Sequence, residues 1–296
     1  MRAFPFRKVD AFATSTSAGN PAGVVRLAAI DELSASDMLR LAAELQGYVN
    51  EVAFLAPQGE RLALRFFSAE REVEFCGHAT IAALHDLLAT NAGWRARPVV
   101  EIVTRKGVLA VENQVAAEDA VYITAPAPRV AASAPPAGLL AEALGLPTAA
   151  LDSTRPPAVV NAGLETLLVP LAGLEALLAL APDYAVLRAF CQEQGLDIVL
   201  VHCRETVDPS HAFRTRVFAP TFGYLEDPAT GSGSAALGHH LLLSGEWDGA
   251  PLVLEQNGRR NHANRVRLKA RRADDGWDLS FGGGAVTRLR GEYLLA

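Results

Sequence analysis

Two six-residue stretches, FCGHAT at 75–80 and TGSGSA at 230–235, each set a glycine and a small or polar neighbour just ahead of an apolar helical run. Laid over one another so that Cys76 meets Thr230, they bring Gly77 onto Gly231 and His78 onto Ser232. The match continues with Ala82 on Ala236, His85 on His239, and Leu87-Leu88 on Leu241-Leu242. The offset is about half of the 296 residues. Solenoid repeats have periods of about 20–50 residues, so a spacing this long reads as the duplication of a whole domain. Length agrees, since one domain takes roughly 150 residues. The composition turns to APAPRVAASAPP over 125–136, the best linker candidate. The expected domains are therefore 1–125 and 126–296.

Each half mixes strand and helix patterns. In the first, RKVDAFA (7–13), VAFLA (52–56) and LALRFFS (62–68) read as strands, and DELSASDMLRLAAELQ (31–46) as a helix stopped by Gly47. ATIAALHDLLA (79–89) reads as a helix, and 99–104 with 107–113 as a hairpin turning at Lys106-Gly107. The second half repeats the theme: a helix near 137–145, strands around 157–169, helices at 172–180 and 184–194, and the strand IVLVHC (198–203). SAALGHHLLL is again a helix after a glycine turn, and 266–281 reads as a hairpin. The apolar stretch LETLLVPLAGLEALLALAP (164–182) contains Glu165, Pro170 and Glu175, so it is expected to be strand, turn and helix and not a membrane span.

Half of the residues are hydrophobic and a fifth charged, which suits packed cores and not disorder. With 27 basic against 33 acidic residues the net charge is −6, giving no general electrostatic case for a nucleic acid or an anionic membrane as partner. The run RRNHANRVRLKARR (259–272) holds seven basic residues and no acid. Its alternation favours a solvated strand; a basic patch for RNA or an anionic protein is the alternative. Cys76, Cys191 and Cys203 are far apart with no CxxC, the pattern of a reduced, cytoplasmic protein, and the first residues show no apolar signal region. His239-His240 and His202-Cys203 lack metal-ligand spacing, so no metal site is expected. The glycines form neither a P-loop nor a dinucleotide fingerprint, which leaves NAD, ATP and flavin unsupported.

The two glycine turns have a chemistry of their own. Glycine lets a ligand approach the backbone closely. The first helical N–H groups lack intrahelical partners and lie at the positive end of the helix dipole. Each turn is thus a receptor for a small anion such as a carboxylate. Two of them opposed across a cleft would hold one small-molecule carboxylate, with Cys76, His78, Thr230 and Ser232 meeting it first and residues 227–233 building half of the site.

Several longer stretches now matter together: VDAFATSTSAGNPAGVV (9–25), NEVAFL (50–55), EVEFCGHATIAAL (72–84), RVFAP (216–220), EDPATGSGSAAL (226–237) and GGGAVTRLRGE (282–292). Over nearly the whole chain they resemble the phenazine biosynthesis PhzF family of isomerases. The resemblance implies an α/β (α+β) fold of two pseudo-symmetric diaminopimelate epimerase-like domains. Each would be a mixed barrel-like sheet around a central helix, with the last strand, about 285–296, a candidate to return to the N-terminal domain. It implies Glu51 as the catalytic acid/base, His78 and Asp227 as its polar partners, and Ser232 as the serine of the second turn. Gly77 and Gly231 match the glycines whose backbones approach the substrate. It implies no cofactor, no metal and a homodimer. The reaction best understood in the family moves a proton within trans-2,3-dihydro-3-hydroxyanthranilate. One departure is clear: where the family has a Gly-Arg-Pro-Ser-like stretch, this chain has Asn261-His262-Ala263-Asn264. Two alternatives stay open. Cys76, opposite Thr230, could serve an epimerase or dehydratase, or the chain could be a non-catalytic scaffold using the basic run.

Overall fold

The helices after the two glycine turns carry few polar residues and no continuous polar face, which suits the inside of a protein. In the computed structural model, which describes residues 2–274 and 276–295, both sit there. Every residue from Ala79 to Leu88 of the helix Gly77–Thr90 is buried. In the helix Gly231–Leu243 burial is continuous from Gly233 to His239. Strands surround each helix, and the chain divides into two compact units: residues up to Ile123 together with those from Gly282 onward, and Thr124–Phe281.

In the first unit, strand Arg2–Ala11 lies between Ala285–Leu295 and Asn20–Arg26, antiparallel to both. Asn20–Arg26 runs parallel to Glu51–Gln58, which pairs antiparallel with Arg61–Ser68. That strand takes the short Glu72–Val73 antiparallel and Val99–Thr104 parallel; Gly107–Gln114 and Ala120–Thr124 follow, each antiparallel to its predecessor. The second unit repeats the order. Arg129–Val130, Ala158–Asn161 and Glu165–Pro170 are antiparallel neighbours. Glu165–Pro170 runs parallel to Ile198–Cys203, and this strand antiparallel to Phe213–Phe218. Phe213–Phe218 takes the short Glu226–Asp227 antiparallel and Leu252–Gln256 parallel, and Asn264–Ala273 follows antiparallel.

A side-chain clamp repeats as well. Arg65 donates to both carboxylate oxygens of Glu72 at 2.8 Å and lies over the Phe67 ring. Arg216 donates to both oxygens of Glu226 at 2.9 and 2.8 Å and lies over Phe218. Each clamp ties the short strand before a glycine turn to the long strand beneath it.

Parallel neighbours need a crossover, and a helix supplies it in both units. Ala35–Glu44, with Ser34 as N-cap accepting from Asp37 N at 3.1 Å, buries Met38, Leu41 and Ala42 against Val52, Phe54 and Phe67. In the second unit Leu174–Ala179 and Tyr184–Gln194 do the same, the latter capped by Asp183 and ended by Gly195 in the left-handed region. The 164–182 stretch is the strand Glu165–Pro170 followed by the helix Leu174–Ala179. Among the described residues no helix is long and apolar enough to cross a membrane.

The boundary between the units falls between Ile123 and Thr124, beside the segment 125–136. That segment is tied down along its length: Ala125 N donates to Leu279 O at 2.8 Å, Arg129–Val130 pairs with Ala158–Asn161, and Ala131 N donates to Val159 O at 2.9 Å. Proline lacks a ladder donor and so suits an edge strand as well as a linker.

Candidate active site

Glu51 opens the strand Glu51–Gln58, with Ala22 of the parallel neighbour as its register partner. The residue before it pins this start: Asn50 N donates to Pro21 O at 3.2 Å and its side-chain amide to Asn20 Oδ1 at 3.1 Å. The GNP and NEV stretches of the sequence therefore form one joint. Val52, Ala53 and Phe54, which follow, are fully buried and give the carboxyl group an apolar base.

Cys76 is the N-cap of the central helix, with extended backbone, and its side chain makes no capping bond. Its carbonyl accepts from both Thr80 N at 3.0 Å and Thr80 Oγ1 at 2.7 Å, which leaves the thiol free to face His78. His78 sits between two partners. Its Nδ1 is 3.5 Å from Cys76 Sγ and its Nε2 is 3.1 Å from Glu51 Oε2. Only 13% of the His78 side chain and 19% of the Glu51 side chain reach solvent. The close approach of Nε2 and Oε2 is off the line of a good hydrogen bond, so both buried atoms lack an aligned partner. Burial works against a charged imidazole, but Cys76 and Glu51 outweigh it and hold His78 well above its ordinary range. Burial, reinforced by Glu51, pushes the Cys76 thiol up against the pull of His78. The three donor atoms lie within 4.8 Å of one another.

The second turn is wired differently. Thr230 is an N-cap of the same extended conformation. Its hydroxyl donates to Asp227 Oδ2 in a short contact and accepts from Gln256 Nε2 at 3.0 Å. Gln256 also donates to Asp227 O at 3.0 Å and accepts from Thr230 N at 2.9 Å. Gln256 is fully buried, Asp227 and Thr230 nearly so. Gly231 has no alternative: a Cβ there would lie 2.3 Å from the Phe281 ring. Ser232 lies half-buried in the first helical turn.

Of the residues singled out by sequence, Glu51, Cys76, Gly77 and His78 come together in the first unit, and Asp227, Thr230, Gly231 and Ser232 in the second. Sequence reasoning missed Gln256, a polar residue at the end of the strand LVLEQ with no local signal. Asn264, named in the sequence only as part of the departing stretch, donates from its side chain to Pro228 O at 2.7 Å and so holds the second turn. From Asn264 on, the basic run is a strand with Val266 and Leu268 buried; Arg260 before it pairs with Glu175, and Arg265 and Arg271 within it pair with Asp208 and Asp278.

Known proteins with this sequence pattern and fold carry consistent names. Residues 9–291 match the model of the PhzC-PhzF family, described as phenazine biosynthesis-like protein. The trans-2,3-dihydro-3-hydroxyanthranilate isomerase of Pseudomonas chlororaphis is 30% identical, covering 97% of this chain and 98% of its own. That of Pseudomonas aeruginosa is 34% identical, covering 79% of this chain and 78% of its own. A crystal structure of a PhzF-family protein from Bacillus anthracis superposes with a TM-score of 0.89 at 25% identity, covering both chains completely.

Proposed function

The chain belongs to the phenazine biosynthesis-like PhzC-PhzF family and is an isomerase, and from that footing we propose that Glu51 shuttles one proton within a small cyclic amino- or hydroxy-carboxylic acid. The closeness of His78 Nε2 to Glu51 Oε2, 3.1 Å between two largely buried side chains, supports this reading above all else.

The step balances without a co-reactant. Glu51 takes a proton from one ring carbon, and the electron pair of the broken C–H bond passes into the adjoining double bonds. Glu51 then returns the proton to a second carbon, and the double bond has moved. A side chain contributes about 10²–10⁴-fold by such transfer when its proton affinity matches both directions. His78 supplies a positive neighbour for a group that alternates between neutral and charged. The unpaired N–H groups of the first helical turn are suited to the substrate carboxylate and to charge developing on it. Asp227, with Thr230 and Ser232, is assigned to contacts with the substrate's amine or hydroxyl. No cofactor or metal enters the scheme.

Cys76 as the base is the weaker reading, because its thiol is pushed up and a thiolate is the reactive form. Thr230, its counterpart, already has its hydroxyl occupied by Asp227 and Gln256.

The test is conversion of trans-2,3-dihydro-3-hydroxyanthranilate and related ring acids in D₂O, followed by NMR. Deuterium should appear on carbon with the wild-type protein, and Glu51→Gln should lower the rate by about 10²–10⁴-fold while keeping the fold. A Glu51→Gln variant turning over at the wild-type rate overturns the proposal.

A further inference from the structure

We propose that Cys76, His78 and Glu51 also form a binding site for a divalent cation of the zinc class, whose occupancy switches the proton chemistry off. Binding is read from donor types and distances alone; the effect on the proton chemistry rests on the function proposed above.

Thiolate, imidazole and carboxylate are the donors that borderline-soft cations select. Their atoms lie within 4.8 Å of one another, and Cys76 Sγ and His78 Nδ1 are 3.5 Å apart. A tetrahedral ion with sulfur at about 2.3 Å and nitrogen at about 2.0–2.1 Å sets those two donors roughly 3.5 Å apart. Three protein ligands would leave the fourth position to water.

Independent features point to the same place. Glu51 Oε2 is a buried carboxylate oxygen with no aligned partner. The Cys76 thiol makes no helix-capping bond, and its side-chain contact is the His78 imidazole, its neighbour in the ligand set. The equivalent turn at Thr230 shows the contrast. There the donors are hydroxyls, and the Thr230 hydroxyl is already engaged by Asp227 and Gln256. A second buried acid–histidine group is closed. The Glu255 carboxylate is shared among His211 at 2.9 Å, Arg214 at 2.9 Å, and the N–H groups of Val207 and Asp208. A cation at the first turn would take the Glu51 lone pair that the isomerisation uses.

The full-length protein should be titrated with cobalt(II) and with zinc(II) against a chromophoric chelator. The expected results are one ion per chain, a sulfur-to-cobalt charge-transfer band, and at least a tenfold loss of zinc affinity in Cys76→Ser and in His78→Gln. Where activity is measurable, zinc should inhibit and a chelator should reverse it. Absence of the charge-transfer band in wild type, or zinc affinity unchanged in both variants, overturns the proposal. The cobalt band needs no variant, so it decides the matter even if a substitution unfolds the protein. An inactive protein that still gives the band would count against the isomerase mechanism alone.

Discussion

His78 and His202 are both nearly buried, yet their surroundings drive them in opposite directions. His78 is held well above its ordinary range because Cys76 and Glu51 outweigh burial. His202 is pushed down to about 3 by burial, with His240 and Arg155 adding to it. The linkage therefore has opposite signs. The stabilisation from His78 is fully present below the unfolded value near 6.5 and fades as the pH rises through the elevated folded one. For His202 the unfolded state binds the extra proton between about 6.5 and about 3, so stability falls as the pH drops through that window. Urea unfolding across pH checks both. The wild-type advantage over His78→Gln should shrink toward alkaline pH. His202→Phe, which can keep the edge contact with Phe213, should resist acid better than wild type. A parallel pH profile for either variant would refute its assignment. What sequence could show at this scale was limited to residues inside a motif. Glu51 reads as an ordinary glutamate until NEVAF is set beside the other stretches. Gln256 carries no mark, because its role arises only when the strand brings it against a turn 26 residues earlier.

Elements whose ends are written in caps were legible residue by residue. The helix Tyr184–Gln194 starts after Asp183, which accepts from Ala185 N and Val186 N, and ends at Gly195. The strand Ile198–Cys203 is an unbroken apolar run buried at every position. The Pro/Ala stretch at 125–136 lies beside the unit boundary, but its pairing with Ala158–Asn161 is not legible, because nothing local says which strand it meets. The helix Gly231–Leu243 yields a prediction of its own, since its glycines are not equivalent. A Cβ at Gly231 would strike the rigid Phe281 ring at 2.3 and 2.4 Å, whereas one at Gly233 meets the mobile tip of Ile198 at 3.2 Å. Helix propensity favours alanine by up to about 1 kcal/mol at either place. Overpacking costs about 1–3 kcal/mol where neighbours cannot yield. Gly231→Ala should therefore lower stability by about 1–3 kcal/mol and Gly233→Ala should lie near neutral in denaturant titrations. Equal effects would mean that the Phe281 contact is not what selects glycine.

At the scale of the molecule, the duplication was visible in the two turns but its stronger evidence was not. The Arg–Glu clamps span seven residues in the first unit and ten in the second, so a constant offset slides past one end of them. The pairing order of strands is invisible to any offset. That order has a consequence for how the chain folds. The second unit, Thr124–Phe281, is one continuous segment, whereas the first needs residues on both sides of it. The second unit's apolar cluster runs from Leu140 to Phe218, and its buried Arg214–Glu255–His211 group is internal. The first unit depends on its returning strand: Ala285–Leu295 pairs along the whole of Arg2–Ala11, Thr287 donates to the buried Asp86 at 2.9 Å, and Arg288 donates to Asp10 at 3.1 Å. Without that strand, Arg2–Ala11 becomes an open edge and two carboxylates each lose a donor. The fragment 124–281 should thus fold alone with a cooperative thermal transition. The fragment 1–123 should aggregate or stay unfolded, and a permuted chain joining 282–296 through a flexible linker to the start of 1–123 should restore it. Circular dichroism melts and amide NMR dispersion of the three polypeptides decide the point. A well-folded 1–123, or a permuted chain as disordered as the bare fragment, would show that the returning strand is not what completes the first unit.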